Sequence, residues 1–470
     1  MRRPLRALLL STVLIVAADA QEASLQKQLL PGATRCLDNS PAGYYFAAAT
    51  DGGRGATVWV INLQGGGSCR AEADCLQRSK GKLGSSKNWP PTDAGSHSPF
   101  LLPDPAANPD FHDANRVHVA YCSGDHHSGN QSKADASTWN LWFTGKANLL
   151  AIVDDLKARH GMDKATHVLL TGESAGGTGT FYNADSVAEW MGPAVTVKAA
   201  PVSGWFFPAE TGDLAGTGTA RKIAWNPPST FASFVAGRVG GWENATAAQG
   251  FVERQTLFNL EYPGGCEEAH PRDSFVCGTM DTLYPFIKAP LFVIENQFDL
   301  HVISHSEGMP IPAAGSTLNT TQKAYLRYYG AATKLSVAQV PASAKADGLF
   351  LASCLDHTGD FGSGTNTTVR GTTFVPLVGD WLFGRNKLPH IVQDDCGDLP
   401  CNPSCGSRRG GGGGGDASQC AAALVSLCAS PGTKTLPPRE LCDACAEQHS
   451  AQLLGAGCTT SLVGAICAGP

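Results

Sequence analysis

The 470-residue chain has no excess of positive charge and, beyond its first twenty residues, no long uninterrupted apolar stretch. Lys and Arg number 35 against 41 Asp and Glu, which gives a formal charge of −6. This balance argues against nucleic acid as a partner, because phosphate backbones are bound by basic surfaces. A membrane span needs about 20 apolar residues, so we expect no stable span beyond the first twenty residues of the chain. Hydrophobic residues make up 42% of the chain, which is enough for a substantial core.

The first twenty residues have the pattern of a signal peptide. Three arginines within the first six residues precede an apolar core, Ala7–Ala17, that is too short to cross a bilayer. Residues 18–20 (Ala-Asp-Ala) fit the rule for cleavage after small residues, so Gln21 is the predicted mature start. The alternative is a membrane anchor, which the short apolar core disfavours. We therefore expect a secreted or lumenal protein.

Sixteen cysteines agree with secretion, because an even count in an oxidising compartment indicates disulfides. Four sequons are candidate N-glycosylation sites: Asn130, Asn244, Asn319 and Asn366. Cys442, Cys445 and His449 resemble half of a zinc site. Since the sequence has no matching second half, disulfides are favoured over a metal.

Strand-like and helix-like segments alternate along most of the chain, which predicts an α/β fold with a mostly parallel sheet flanked by helices. Strands are predicted at 57–63, 116–121, 166–170, 195–203 and 290–296, and helices at 138–159 and 177–190. The first helix is predicted to end at His160 and Gly161, with the glycine as its C-cap. The run Gly410–Gly415 is typical of a flexible linker. We divide the chain into a signal peptide (1–20), an α/β domain (21–405), a Gly-rich linker (406–416) and a disulfide-rich module (417–470).

The segment Gly172–Gly176 (Gly-Glu-Ser-Ala-Gly) lies between a predicted strand and a predicted helix, which is the setting of a nucleophile elbow. The turn is so tight that the flanking positions need glycine, and it lifts the Ser174 hydroxyl out of the sheet. A serine hydroxyl is a weak nucleophile at neutral pH. It needs a histidine base, and the histidine needs a carboxylate to hold its tautomer.

An acid and a base are expected downstream of Ser174, in the order acid then histidine. Asp299 is the candidate acid, because it lies a few residues past the predicted strand 290–296. The downstream histidines are His301, His305, His357 and His390. His357 lies in a polar loop and is favoured, since His301 and His305 follow Asp299 too closely to turn back toward it. Activity should fall below about pH 6, because the base must start neutral.

A glycine run, Gly65–Gly67, directly follows the predicted strand 57–63. Glycine permits close backbone approach and unusual φ angles. Its place after an early strand predicts that its N–H groups, with that of Ala175 in the elbow, stabilise an acyl oxyanion. The alternative is a glycine-rich turn without a chemical role.

Several motifs occur in the order typical of the pectin acetylesterase and Notum family. They are Leu63–Cys69, the Cys69 to Cys75 spacing, Tyr121–Asp125, Gly172–Gly177, Ser203–Phe206 and Cys401–Cys405. The resemblance runs from about residue 36 to 405 and implies an α/β-hydrolase fold and a serine carboxylesterase without metal or cofactor. It implies Ser174 as nucleophile, Asp299 as acid and His357 as base. The oxyanion donors that it implies are Gly66, Gly67 and Ala175.

The family divides by substrate. Plant-type members resemble deacetylases of acetylated pectin, and Notum resembles a deacylase that removes palmitoleate from Wnt proteins. Gly67 stands where Notum has tryptophan and plant members have glycine, which favours the polysaccharide branch. Two positions depart from the plant pattern: Ser68 replaces a usual tryptophan, and Glu173 replaces a small residue. We expect removal of O-acetyl groups from pectin or a related polysaccharide.

Two alternatives to that function stay open from the sequence. One is a Notum-like protein lipid deacylase. The other is a catalytically inert extracellular binding protein that uses its Cys-rich tail, although the complete set of triad candidates counts against it. Two interpretations of Glu173 also stay open. Its carboxylate is a buried, structural hydrogen-bond partner, or it raises the pKa of His357. The pair His126 and His127 is expected to lie in a loop near the mouth of the site.

The resemblance, together with spacing, also implies disulfide pairings. The short-range pair Cys69–Cys75 is expected. Further pairs are Cys36–Cys122, Cys266–Cys277 and Cys354–Cys396.

Overall fold

The structure, a computed structural model, describes residues 24–50, 54–207, 253–306, 317–362 and 367–406, with 424–428, 441–442, 445–446 and 467 of the C-terminal module. The predicted signal peptide, the glycine run of the linker, and the sequons Asn244 and Asn366 lie outside the described residues. Within these ranges, none of the helices is both long enough and apolar enough to cross a membrane.

Within the described part of the chain, a ten-stranded sheet lies at the centre of the fold. Its strands are β1 Leu25–Leu29, β2 Gly43–Ala47, β3 Val58–Leu63, β4 Thr92–Asp93, β5 Asn115–Val119, β6 His167–Glu173, β7 Thr196–Val202, β8 Phe292–Asp299, β9 Gly348–Asp356 and β10 Ile391–Gln393. Their order is β10-β9-β8-β7-β6-β3-β5-β2-β1-β4. The strands from β10 to β5 are parallel, and β2, β1 and β4 continue the sheet antiparallel. The predicted mostly parallel sheet is confirmed.

Helices cover both faces of this sheet. They are α1 Glu72–Arg78, α2 Gly145–His160, α3 Ala175–Met191, α4 Cys266–Ala269, α5 Met280–Leu283, α6 Thr320–Val337 and α7 Phe374–Leu382. Successive residues of β3 alternate between the faces, as strand geometry requires. Trp59 and Ile61 pack in the core that includes α2, α3 and α6, whereas Val60 packs in the core that includes α7.

Most predicted element boundaries differ from the structure by one to three residues, and the start of α2 differs by seven. The helix predicted from residue 138 begins at Gly145, because Trp139 and Asn140 adopt positive φ angles of 54° and 58° that end a short 3-10 turn. Its end is as predicted, with Gly161 in the left-handed region as the C-cap. Strand β8 extends to Asp299, so this acid is the last residue of the strand and not part of the following loop.

The disulfides confirm two expected pairs, Cys36–Cys122 and Cys266–Cys277. The module contains Cys428–Cys445 and Cys442–Cys467, so Cys442 and Cys445 are disulfide-bonded, as favoured over zinc.

The expected pair Cys354–Cys396 is wrong. Cys354 is bonded to Cys405, and Cys396 to Cys401. The chain returning from β10 is held along β9 by two N–H groups, from residues 401 and 402, that donate to the Ser353 carbonyl. This path brings Cys405 beside Cys354.

The expected Cys69–Cys75 bridge is also not formed, since both residues are buried free thiols. Cys75 lies in α1, with its N–H bonded to the Ala71 carbonyl, and the Cys69 N–H donates to Gly124. These backbone contacts leave the two sulfur atoms within 4.8 Å of each other without a bond between them. Burial raises the pKa of the Cys69 thiol, which keeps it protonated.

Digestion of the unreduced protein at aspartates checks the pairing of Cys354. Cleavage before Asp398 separates Cys396 from the peptide that carries both Cys401 and Cys405. We expect mass spectrometry to find three peptides in one disulfide-linked species. The peptide with Cys401 and Cys405 is bonded to both the Cys396 peptide and the Cys354 peptide. A two-peptide species joining Cys354 to Cys396 would contradict the structure.

Candidate active site

The turn between β6 and α3 presents Ser174. This residue has φ 56° and ψ −117°, a strained conformation for a residue with a side chain. The glycines around it permit close backbone contacts: a Cβ atom on Gly172 would lie 2.6 Å from the Gly176 carbonyl oxygen, and one on Gly176 would lie 1.9 Å from that of Leu63. The turn therefore packs against the end of β3 and has the geometry of a nucleophile elbow.

The structure brings Ser174, Asp299 and His357 together from the ends of three strands. The Oγ atom of Ser174 lies 2.7 Å from His357 Nε2, and Asp299 Oδ2 lies 2.7 Å from His357 Nδ1. Because a carboxylate only accepts hydrogen bonds, Nδ1 carries the proton and Nε2 is free to accept the hydroxyl proton. This arrangement can activate a serine hydroxyl for attack on a carbonyl.

The backbone of His357 is fixed by two side chains that the sequence did not single out for this role. The Ser203 hydroxyl donates to the His357 carbonyl at 2.6 Å, and Asn296 Nδ2 donates to the same oxygen at 3.1 Å. Asn296 lies in β8, and Ser203 directly follows β7, so neighbouring strand ends hold the histidine. Placement at a strand end was a signal for both residues, and Ser203 also begins one of the motifs that carry the family resemblance, Ser203–Phe206.

The other candidate histidines have different positions. The His301 ring stacks on that of His357 at 5.0 Å between centroids, so it lies against the histidine that contacts Ser174 and Asp299. His390 Nε2 lies 3.3 Å from Asp380 Oδ2, in a separate contact. The His305 side chain lies outside the described residues.

A second carboxyl group lies behind Asp299 and was also missed. Glu295 is buried in β8 and accepts the N–H groups of Trp205 at 2.9 Å and Asn296 at 3.0 Å. Burial, and then the negative charge of Asp299, hold the pKa of Glu295 well above its ordinary range. Glu295 therefore holds two backbone N–H groups next to the strand end that carries Asp299.

The glycine run forms a loop beside Ser174. Gly66 and Gly67 have φ angles of 131° and 67°, in the region that favours glycine. Arg78 Nη1 donates to the Gly66 carbonyl at 2.8 Å. Since the C=O and N–H of one trans peptide point in opposite directions, this bond turns the Gly67 N–H away from Arg78. Ala175 is the first residue of α3, where N–H groups have no partner within the helix.

The His126–His127 loop lies against the start of this glycine run. His127 Nε2 donates to the Gln64 carbonyl at 2.8 Å, and the His127 ring stacks on Tyr121. The His126 N–H donates to the Tyr121 hydroxyl at 2.7 Å. The two histidines thus hold backbone and aromatic groups next to the glycine run, and the His127 side chain is buried.

In the described ranges, three groups of side chains are close enough to share a metal ion: Cys69, Asp74 and Cys75; Asp93, His97 and His118; and Cys354, Asp360 and Cys405. The last includes a disulfide. The His97 and His118 rings are parallel within 13°, so their lone pairs do not converge on one point. None of the three groups includes a residue of the Ser174–His357–Asp299 arrangement.

Comparison with known proteins identifies the family of this chain. A family model described as pectinacetylesterase matches residues 18–406. The chain belongs to the pectinacetylesterase family. Pectin acetylesterase 11 of Arabidopsis thaliana is 30% identical over 85% of this chain and 95% of its own length.

Relatives of a second kind match about as well. Palmitoleoyl-protein carboxylesterase notum1a of Danio rerio is 28% identical over 80% of this chain and 70% of its own length. The human palmitoleoyl-protein carboxylesterase NOTUM is 28% identical over 81% and 73%. Both kinds of relative are named as esterases, and the chain is a carboxylic-ester hydrolase of their family.

Buried neutral histidines should make the protein sensitive to acid. Burial lowers the pKa of His118 to about 3 and that of His127 to about 4. The unfolded chain binds protons at these rings below about pH 6.5, and the folded chain does not. Stability from these groups is therefore fully present above pH 6.5 and is lost as pH falls toward the folded pKa values.

The contribution of His118 is measurable by substitution. Glu173 and Glu295 have raised pKa values in the folded protein, so their effect on stability with pH is opposite to that of His118. The pH dependence of wild-type stability alone therefore does not isolate the contribution of His118. Between pH 7 and pH 5, we expect the unfolding free energy of wild type to fall by about 2 kcal/mol more than that of His118→Gln. Both values are measured with denaturant. Equal losses in the two proteins would contradict a neutral His118.

Proposed function

We propose that this protein is a secreted serine carboxylesterase that removes O-acetyl groups from pectin or a related polysaccharide. The observation that carries the proposal is the hydrogen-bonded arrangement of Ser174, His357 and Asp299, with 2.7 Å at each contact. Membership in the pectinacetylesterase family supports the acyl-transfer chemistry. Secretion is supported by the N-terminal signal pattern and by the disulfides of the esterase domain.

The proposed reaction has two acyl-transfer steps. His357 Nε2 takes the proton of Ser174 as its oxygen attacks the ester carbonyl, and Asp299 stabilises the imidazolium that forms. The N–H groups of Gly66, Gly67 and Ala175 would stabilise the tetrahedral oxyanion. The sugar hydroxyl leaves with the proton from His357. Water then attacks the acetyl-enzyme in the same way and releases acetate.

Positive charge near the site favours an acidic polysaccharide over a lipid as substrate. The pKa of His126 is lowered to about 3 by burial and then by the charges of Arg254, Arg70 and Arg78. These guanidinium groups therefore lie within electrostatic range of the loop that adjoins the glycine run. Uronic acid carboxylates would be attracted to such a region, whereas a long acyl chain would gain nothing from it.

Replacement of the nucleophile tests the mechanism. Ser174→Ala should abolish hydrolysis of 4-nitrophenyl acetate, with a loss of at least about 10³-fold in kcat, because no acyl-enzyme can form. A purified Ser174→Ala protein that keeps activity, with a circular dichroism spectrum like that of wild type, would contradict the assignment of Ser174 as the nucleophile. A wild-type protein without esterase activity would instead favour an extracellular binding protein.

Acyl-chain preference separates the two esterase functions. We expect acetate release from acetylated pectin and faster cleavage of 4-nitrophenyl acetate than of the octanoate and palmitate esters. A preference for the long-chain esters would overturn the polysaccharide proposal in favour of a lipid deacylase like the Notum relatives.

The charge argument has its own test at Arg70, which is exposed. Arg70→Gln should raise KM for acetylated pectin by about two- to fivefold at low salt, as for an exposed ion pair. The effect should disappear at high ionic strength, which screens exposed charges. Arg159→Gln, at an exposed arginine in the last turn of α2, is the matched control. An equal rise in both variants would contradict a role of Arg70 in substrate binding.

A further inference from the structure

Glu173 directly precedes the nucleophile, and its side chain reaches the glycine run. Gly65 N–H donates to Glu173 Oε1 at 2.9 Å, and Asn62 Nδ2 donates to Oε2 at 3.2 Å. We propose that Glu173 is a positioning residue that fixes the oxyanion loop, Gly65–Gly67, against the nucleophile elbow. This inference rests on the proposed function, since it assigns a purpose to a loop that would act only during ester hydrolysis.

The peptide between Gln64 and Gly65 is held on both sides. His127 Nε2 donates to its carbonyl at 2.8 Å, and its N–H donates to Glu173. These two groups of a trans peptide point in opposite directions, so the two bonds together fix the orientation of the peptide plane. The proposed donors Gly66 and Gly67 follow directly, and their direction depends on that plane.

The loop needs such a restraint because its own residues do little to fix its conformation. Gly66 and Gly67 have no side chains, and glycine has wide conformational freedom. The loop also lies very close to the elbow: a Cβ atom on Gly65 would lie 2.6 Å from the Glu173 carbonyl oxygen and 3.2 Å from Ser174 Cβ. A small shift of the loop would move the donors relative to the Ser174 oxygen, and oxyanion stabilisation requires donor distances of about 2.7–3.1 Å.

The surroundings of Glu173 show what its role requires. Burial raises the pKa of Glu173 to about 7, against the effects of the Gly65 N–H, the charge of His97 and the Asn62 amide. His97 is paired with Asp93 at 3.0 Å and stacks on His118.

A protonated carboxyl keeps a carbonyl oxygen that accepts a hydrogen bond. The contact with Gly65 therefore needs the reach of the side chain and an acceptor atom, and it does not need the negative charge.

Two conservative variants separate reach from charge. Glu173→Gln keeps the length and one acceptor but removes the charge. Its new Nε2 takes the place of Oε2, to which Asn62 Nδ2 donates, so the Asn62 amide has to turn over and present Oδ1, which is buried without a partner among the described residues. Glu173→Asp keeps the charge but is one methylene shorter, so its oxygens no longer reach the Gly65 N–H.

We expect Glu173→Gln to keep kcat for 4-nitrophenyl acetate within about threefold of wild type. Glu173→Asp should lose about 10- to 100-fold in kcat, less than the loss of a whole oxyanion donor, with KM little changed. Affinity for an alkyl boronic acid, which forms a tetrahedral adduct with the serine, should fall in parallel in the Asp variant alone. A role limited to folding would lower the melting temperature without this selective loss.

Asp185 supplies a matched control. It is a buried carboxylate in α3 that also accepts backbone N–H groups, from Lys288 at 2.9 Å and Ala289 at 2.8 Å, but it does not contact the glycine run. Asp185→Ala should lower the melting temperature and leave kcat and boronic acid affinity unchanged.

The reverse pattern, with Glu173→Asp active and Glu173→Gln impaired, would overturn the inference, as would equal losses in Glu173→Asp and Asp185→Ala. If the Asp variant does not fold, the Gln variant still decides: near-wild-type kcat supports the inference, and a loss above tenfold overturns it. An inactive wild type, or an active Ser174→Ala, would instead remove the proposed function.

Discussion

The close packing of the elbow against the end of β3 is the constraint on which the site depends. Gly172 pairs with Leu63 across the two parallel strands, and Gly176 of the following helix approaches the Leu63 carbonyl so closely that no side chain fits. The strained φ angle of Ser174 is maintained by this packing. Because the glycine run continues directly from β3, the same contact places the proposed oxyanion donors beside Ser174.

The remaining groups of the site also come from the carboxyl ends of parallel strands. Asp299 ends β8 and pairs with Asp356 at the end of β9, so His357 follows next to Asp299. Ser203 and Asn296 then fix the backbone of the histidine. Parallel strands gather residues that are far apart in the chain at one edge of the sheet, which is where α/β proteins bind ligands.

Two buried carboxyl groups hold the backbone at this edge of the sheet. Glu295 lies next to Asp299 and holds backbone N–H groups of Trp205 and Asn296, and Glu173 holds that of Gly65. In both cases burial raises the pKa of the carboxyl group, and its oxygens accept hydrogen bonds from backbone N–H groups. Of the two readings of Glu173 from the sequence, the structure supports the hydrogen-bond partner.

The sequence by itself determined the elements whose signal is local. Glycines flanking Ser174, β-rich runs and the Gly161 C-cap each depend on neighbouring residues, and these predictions agree with the structure. Only the tertiary structure decided where distant segments meet: that Cys405 lies beside Cys354, that Arg78 and His127 hold the glycine run, and that the Glu173 side chain turns toward Gly65. Local conformational preference is encoded residue by residue, whereas these contacts depend on the path of the whole chain around the sheet.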